Sequence, residues 1–394
     1  MDIYQKLGVR RIINARSFST KAGGAPLPQN VLDAMREAAE SCVRMDELQD
    51  AASRVISEAT GAEAGIVTSG AAAGLTLAAA ATIAGLDVCR MNRLPDTTGM
   101  PNEIVVHRSH RNDYDHALRA AGARFVEVGF SYFTFPYEIT QAITPQTAAL
   151  FFQAGGAGQV MPLQEFASVA HEHGKPVIVD AAAELPPAGN LRSYIAAGAD
   201  LVVFSGGKHL RGPQATGILC GRSDLILSAA LQHQDMDVFP NSWPLRQLIA
   251  DRRLAGPPHH GIGRGFKVGK EEIAGLLTAL LDYPNRDFDA EQSRWKADME
   301  CIAGAISMTG VTAQIRFPQP DGRAVPHAVL TINELEAGRS ANAVINALQD
   351  GEPSIFVFER WGDEGKIVLM PEALTPGDAP LIARRLKEIF EGPI

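Results

Sequence analysis

The chain has 394 residues, 46% hydrophobic and 21% charged, with a formal net charge of -9 and a pI near 5.6. That length exceeds a usual single core, so two domains are expected, and the acidity argues against nucleic acid or an anionic membrane as a partner. The amino terminus, Met1-Asp2-Ile3-Tyr4-Gln5-Lys6, lacks a signal-peptide pattern, and the alanine-rich run at 71–86 is too short and interrupted for a membrane span. Cys42, Cys89, Cys220 and Cys301 are scattered, with neither metal-ligand nor disulfide spacing, so the expectation is a cytoplasmic protein without a metal.

Ile12-Ile13-Asn14-Ala15-Arg16-Ser17-Phe18 leads into the irregular stretch 21–28, marked by two glycines and two prolines. Helical spacing predicts a helix over 31–42 with Val31, Met35 and Ala38 on one face. A second is predicted over 45–60, with Leu48, Ala52, Val55 and Ile56 inward and Gly61 as its cap. The strand expected at 64–68 runs through Ser69-Gly70-Ala71 straight into a helix. That geometry offers free backbone N–H groups and a positive helix end to a phosphate; close helix-on-sheet packing through small residues is the plainer alternative.

Further strands are expected at 103–107, 124–128, 148–152, 176–180 and 199–204, with 216–220 returning antiparallel. A helix over 163–173 buries Phe166, Val169 and Ala170. From 231 to 264 the pattern breaks into Pro, His, Trp and Gly, and long loops are expected. Lys267-Val268-Gly269-Lys270 then opens a helix through Ile273, Leu276, Leu277 and Leu280. The domain plan is an N-terminal segment, 1–45, packing on the small domain or a partner subunit, then a large domain, 46–285, and a small α+β domain, 286–394. The last holds a charged helix (288–305), strands at 311–315, 328–332, 354–357 and 366–370, and a closing helix (379–390).

Apolar strands alternating with helices predict an α/β fold with a mostly parallel, doubly wound sheet, whose ligands gather at the carboxyl ends of the strands. Ser69, His107, His110, Asp180 and Lys208 all fall at or just beyond such ends. Lys208 stands in Phe204-Ser205-Gly206-Gly207-Lys208-His209-Leu210-Arg211-Gly212-Pro213-Gln214, among small residues that let backbone approach a ligand closely. A phosphate cup, a carboxylate ending one strand and a lysine after the next make up a pyridoxal 5'-phosphate site. The lysine forms a Schiff base and then serves as base at Cα. Asp180 faces the pyridine nitrogen, and Ser69-Gly70-Ala71 take the phosphate. His110 stacks on the ring, with His107 the second choice. Singly, each has a plainer reading: a surface lysine, a helix-capping aspartate, a solvated loop histidine. The combination carries the inference.

Asn14-Ala15, Met45-Asp46-Glu47-Leu48, Thr60-Gly61-Ala62-Glu63-Ala64 and Val67-Thr68-Ser69-Gly70-Ala71 join with His110-Arg111-Asn112, Tyr114-Asp115-His116 and Val179-Asp180-Ala181-Ala182. With Ser205-Gly206-Gly207-Lys208, Gly212-Pro213-Gln214 and Lys267-Val268-Gly269-Lys270, they resemble the selenocysteine synthase-like branch of fold-type I pyridoxal phosphate enzymes. Within it they are most similar to the D-glucosaminate-6-phosphate ammonia-lyase group. The resemblance runs from about residue 10 to 280. It implies an aminotransferase-like fold and a homodimer or larger even assembly with shared active sites. It also implies Lys208 as the cofactor lysine, Asp180 at the pyridinium, and Ser205 beside Ser69-Gly70-Ala71 at the phosphate. Gly263-Arg264-Gly265 resembles a segment that reaches a neighbouring subunit's site, which makes Arg264 a candidate anion contact.

One departure concerns the substrate. Where the family commonly reads Asn-Ala-Gly-Thr, this chain has Asn14-Ala15-Arg16-Ser17, so Arg16 joins Arg264 and Arg360 as a candidate substrate residue. Its length and acidity also set the chain apart from the transfer-RNA-dependent selenium transferases. The expected activity is a lyase that takes ammonia and water from a hydroxylated amino acid or amino sugar acid to give a 2-oxo acid. Racemisation or epimerisation, aldol cleavage and β-replacement remain open at the same carbanion, as does a cofactor-bearing regulatory protein without turnover.

Overall fold

A computed structural model describes residues 2–155, 161–233, 239–318 and 325–392. The chain divides into two units: Leu27–Pro284, and Met1–Pro26 together with Asn285–Ile394. Residues 27–45, grouped by sequence with the N-terminal segment, belong to the larger unit. The first strand, β1 (Ile12–Ala15), belongs to the smaller unit and is described with it.

The larger unit is built on seven strands: β2 (Ala64–Thr68), β3 (Glu103–His107), β4 (Arg124–Val128), β5 (Thr147–Gln153), β6 (Val177–Asp180), β7 (Leu201–Ser205) and β8 (Gly217–Gly221). Their order in the sheet is β2-β8-β7-β6-β5-β3-β4. β4, β3, β5, β6 and β7 pair in parallel, and β8 is antiparallel to both its neighbours. β3 and β6 are buried along their whole length, which is why Ile104-Val105-Val106 and Val177-Ile178-Val179 read as apolar runs. The edge strand β4 instead exposes Arg124 and Glu127.

The other edge, β2, is covered by a side chain. Gln49, 8% exposed on the helix Met45–Thr60, donates from Nε2 to the carbonyl of Val67 and accepts the N–H of Val67 on Oε1, both at 3.1 Å. Its amide stands in for the next strand. The sequence pattern placed Leu48 and Val55 inward with Ala52 and Ile56; the helix buries Gln49, Ala52 and Ile56, and the other two are half-buried. Gln49→Leu strands two buried backbone groups, and we expect a loss of about 2 kcal/mol, read as a lower denaturation midpoint at unchanged m-value. An unchanged midpoint would count against this edge role.

The helix expected at 31–42 is Gln29–Ala39, and its last turn closes with the N–H of Glu40 on Glu37 and Ala38. The break expected from 231 begins inside the last turn of a helix that the pattern did not reveal, Ser223–His233. Trp243 and Leu254, each 3% exposed, pin the following loops into the core around Leu77, Ile104 and Leu231. Asp237 and Val238 of that expected loop lie outside the described residues.

In the smaller unit, β9 (Val311–Arg316), β10 (His327–Ile332) and β12 (Lys366–Leu369) form an antiparallel sheet in the order β12-β10-β9. β11 (Ser354–Val357) runs parallel to β1. Its core joins Ile13 and Ala15 to Leu330, Ile355, Val357 and Leu369, with Ile302, Ile345 and Leu386 from the helices Phe288–Gly304, Ala341–Asp350 and Asp378–Glu391. No described helix is long and apolar enough to cross a membrane.

Candidate active site

The turn that carries Lys208 is a closed knot between β7 and β8. The N–H of Gly206 donates to Thr216 O, the N–H of Gly212 to Gly206 O, and the N–H of Arg211 to Lys208 O, each at 2.9 Å. Thr216, fully buried, closes the base through Oγ1 on Pro213 O at 2.6 Å. Gly207 is obligatory here, because a Cβ would lie 2.5 Å from Cα of Gln214. Lys208 is half-buried beside this knot, so its amine is placed by backbone bonds on either side of it.

Across β8, the cup after β2 is equally tight. A Cβ on Gly217 would fall 2.5 Å from the carbonyl carbon of Gly70 and 2.7 Å from the nitrogen of Ala71. Gly217 therefore lets the Ser69-Gly70-Ala71 backbone lie against the sheet end that also bears Ser205, its partner across the ladder. Gly70, with φ 100°, starts the helix Ala71–Ala84, and no side chain caps it. The first-turn N–H groups are thus available to an anion at the positive end of a largely buried helix.

Asp180 ends β6 and pairs with Val203 of β7 on one side and Gln153 of β5 on the other. It is 4% exposed, and its Oδ1 accepts the N–H of Ala182 at 2.9 Å. Burial pushes its carboxyl above the ordinary 3.8, while that hydrogen bond and the nearby Lys208 charge pull the other way. A buried carboxylate beside one cation is a site prepared for a further proton donor.

Gln153, which the sequence reading left beyond the strand end, ties these pieces together. Its N–H donates to His110 Nδ1 at 3.3 Å, and its Nε2 reaches the carbonyls of Ala154 and Asp180 at 3.2 and 3.3 Å. Asn112 Nδ2 holds its Oε1 at 2.8 Å. Because His110 Nδ1 accepts, the neutral ring carries its proton on Nε2. His110 is 3% exposed and stands edge-on to Phe152 at 4.7 Å between ring centroids.

His107 lies deeper, fully buried, with its ring 4.6 Å from Phe166 and 4.7 Å from His110. Its Nδ1 meets Thr134 Oγ1 at 2.9 Å. The two histidines are thus separated: His110 at the strand-end rim, His107 packed behind it.

Burial holds both rings neutral, with His110 depressed to about 4, and His107 to about 3 with the His110 charge as a lesser cause. The ordinary value is 6.5, so below it the unfolded chain binds the extra protons and stability falls as pH drops toward 4 and then 3. His107→Phe should flatten part of that slope in unfolding temperature against pH. A slope identical to the wild type's would overturn this assignment.

Arg264 is half-buried in the turn Ile262–Phe266 of the same unit. Arg16 and Arg360 belong to the smaller unit. Arg16 is paired there with Glu359 at 2.9 Å, whereas Arg360 is exposed and makes no ion pair among the described residues.

The family model described as SelA, L-seryl-tRNA selenium transferase, matches residues 18–237. The chain is 36% identical to 5'-C-glycyluridine monooxygenase-decarboxylase from Streptomyces sp, over 98% of this chain and 92% of that one. It is 33% identical to D-glucosaminate-6-phosphate ammonia lyase from Salmonella typhimurium, over 99% and 98%. A solved structure of D-glucosaminate-6-phosphate ammonia-lyase superposes with a TM-score of 0.81 at 32% identity, covering 99% of this chain and 98% of that one.

Proposed function

The chain belongs to the L-seryl-tRNA selenium transferase family of fold-type I pyridoxal phosphate enzymes, and on that premise we propose an ammonia-lyase acting on a 2-amino-3-hydroxy acid with a sugar-derived chain. The observation that carries the reading is that Asp180, which ends β6, lies within the charge field of Lys208, which follows the adjacent parallel strand β7. The residues fit pyridoxal phosphate. Gly217 and Gly70 leave a backbone cradle open for the phosphate, and the raised carboxyl of Asp180 suits a ring N–H.

When bound, the cofactor supplies an electron sink for charge developing at the substrate Cα. Ser69-Gly70-Ala71, with Ser205, hold the phosphate by N–H and hydroxyl donors. Asp180 keeps the proton on the pyridine nitrogen. His110, neutral, would lie beside the ring without adding a positive charge that would oppose that proton. Lys208 would hold the cofactor through its amine and, with substrate in place, would take the Cα proton. The proton held on Lys208 would pass to the departing β-hydroxyl, which leaves as water, and hydrolysis of the enamine returns one water to give a 2-oxo acid and ammonia.

Both relatives' names describe an α-amino acid whose β-carbon bears oxygen and continues into a sugar, which supports the substrate class. The net charge of -9 favours a small molecule over a transfer RNA. A panel of 2-amino-3-hydroxy sugar acids, with and without phosphate, tests the reading by release of ammonia and 2-oxo acid. Cα deuterium wash-in without ammonia would replace it with racemisation. A second reading, an oxygen-dependent decarboxylation, is favoured by the 36% identical Streptomyces relative. Oxygen uptake with carbon dioxide release, absent under nitrogen, would select it. We place the enzyme in the cytoplasm as a homodimer or larger even assembly, which light scattering of the holoenzyme tests.

A further inference from the structure

β1 and β11 run parallel with Ala15 opposite Val357, so their carboxyl ends deliver Arg16 and the Phe358-Glu359 pair side by side. The loop after β1 is rigidly built. Asn14, 7% exposed, accepts the N–H of Arg16 on Oδ1 at 2.9 Å and donates from Nδ2 to Ser17 O and Gly24 O at 2.8 and 2.7 Å. Ser17 is held left-handed at φ 56°, its hydroxyl donating to Glu372 Oε1 at 2.7 Å. A non-glycine residue in that region costs energy, and such strain gathers where a side chain must be aimed.

What is aimed is a pair of cations. Glu359 Oε1 receives Arg16 Nη1 at 2.9 Å and Lys21 Nζ at 3.2 Å, while its Oε2 is taken by Gln349 Nε2 at 3.0 Å. Two cations share one carboxylate that has no oxygen to spare. The Arg16 side chain is only 19% exposed, with its guanidinium 5.8 Å from the Phe358 ring, and Lys21 lies 5.8 Å from Phe356. Nη1 of Arg16 is buried and, beyond its ion pair with Glu359, finds no hydrogen-bond partner. A half-buried guanidinium with one N–H group short of a hydrogen bond carries a desolvation cost that a planar or tetrahedral oxyanion at the fork relieves.

We propose that Arg16 and Lys21, held on Glu359 at the carboxyl ends of β1 and β11, form a binding site for a small oxyanion, a carboxylate or a phosphate group. Its test needs no turnover and so stands or falls apart from the lyase reading. Calorimetry uses the pyridoxal phosphate-loaded protein, in which the cup at Gly70-Ala71 is filled, titrated with inorganic phosphate and, separately, with acetate.

One saturable site is expected for at least one of these anions. Arg16→Gln should weaken it by about ten- to a hundredfold, the scale of a lost charge-assisted contact, and Lys21→Gln by less. Glu359→Gln should tighten it, because the competing charge is gone. A purely structural ion pair predicts the reverse, so this variant decides the matter even where Arg16→Gln folds poorly. Displacement of the probe by a 2-amino sugar acid assigns the site to substrate, and coexistence assigns it to a separate effector anion. No saturable binding to the wild type, or equal binding by Arg16→Gln, overturns the proposal.

Discussion

Lys208→Ala is expected to abolish turnover and to remove the visible absorbance of lysine-bound pyridoxal phosphate, leaving cofactor held by its phosphate and ring contacts alone. Two roles vanish together, the covalent anchor and the base at Cα, and a positioned base alone is worth about 10²–10⁴-fold. We therefore expect kcat to fall by about three orders of magnitude or more. The turn itself should survive, because the bonds that close it run through the backbone of Gly206, Lys208, Arg211 and Thr216. Lys208→Arg is the control that keeps the charge beside Asp180 and removes the nucleophile. An unchanged spectrum in Lys208→Ala would sink the assignment of the cofactor lysine.

The sheet was legible because its inner strands are buried on both faces and end abruptly in polar residues. Val177–Asp180 and Leu201–Ser205 are apolar until their last residue. The antiparallel return of β8 followed from the short knot after Lys208, too short for a helical crossover. What stayed hidden were side chains whose partners lie far off in sequence. Gln49 reads as a polar slip in an amphipathic helix until β2 is seen to be an edge. Thr134 sits in an aromatic-rich loop with no sign that it meets His107. Gln153 was the first residue past an apolar run, and only the register with Asp180 shows why a two-ended amide is needed there. The helix Ser223–His233 escaped because Ser228, Gln232 and His233 are buried in it, which blurs the contrast between its faces.

Asp180→Asn should separate the requirements of the fold from those of the chemistry. Its carboxyl is raised above 3.8 in the folded chain, chiefly by burial. Below 3.8 both states hold the proton and its contribution to stability is complete. As pH rises through the window above 3.8, the unfolded chain gives up the proton first, so stability falls until the folded carboxyl also ionises. Ionising this carboxyl in the apoprotein therefore costs stability, a cost eased by the Ala182 N–H and by the Lys208 charge. The apo form of Asp180→Asn should match or exceed the apo wild type in unfolding temperature near neutrality and lose that advantage toward acid.

With cofactor bound the order should invert. The ring N–H completes the carboxylate, so the variant should bind cofactor more weakly and lose about 10²–10³-fold in kcat, the scale of removing one preorganised electrostatic partner from a buried site. An apo variant that is less stable than the apo wild type at every pH would mean that the fold itself needs the ionised carboxylate. Asp180 would then be a structural anchor for Ala182 rather than a charge kept waiting for a cation.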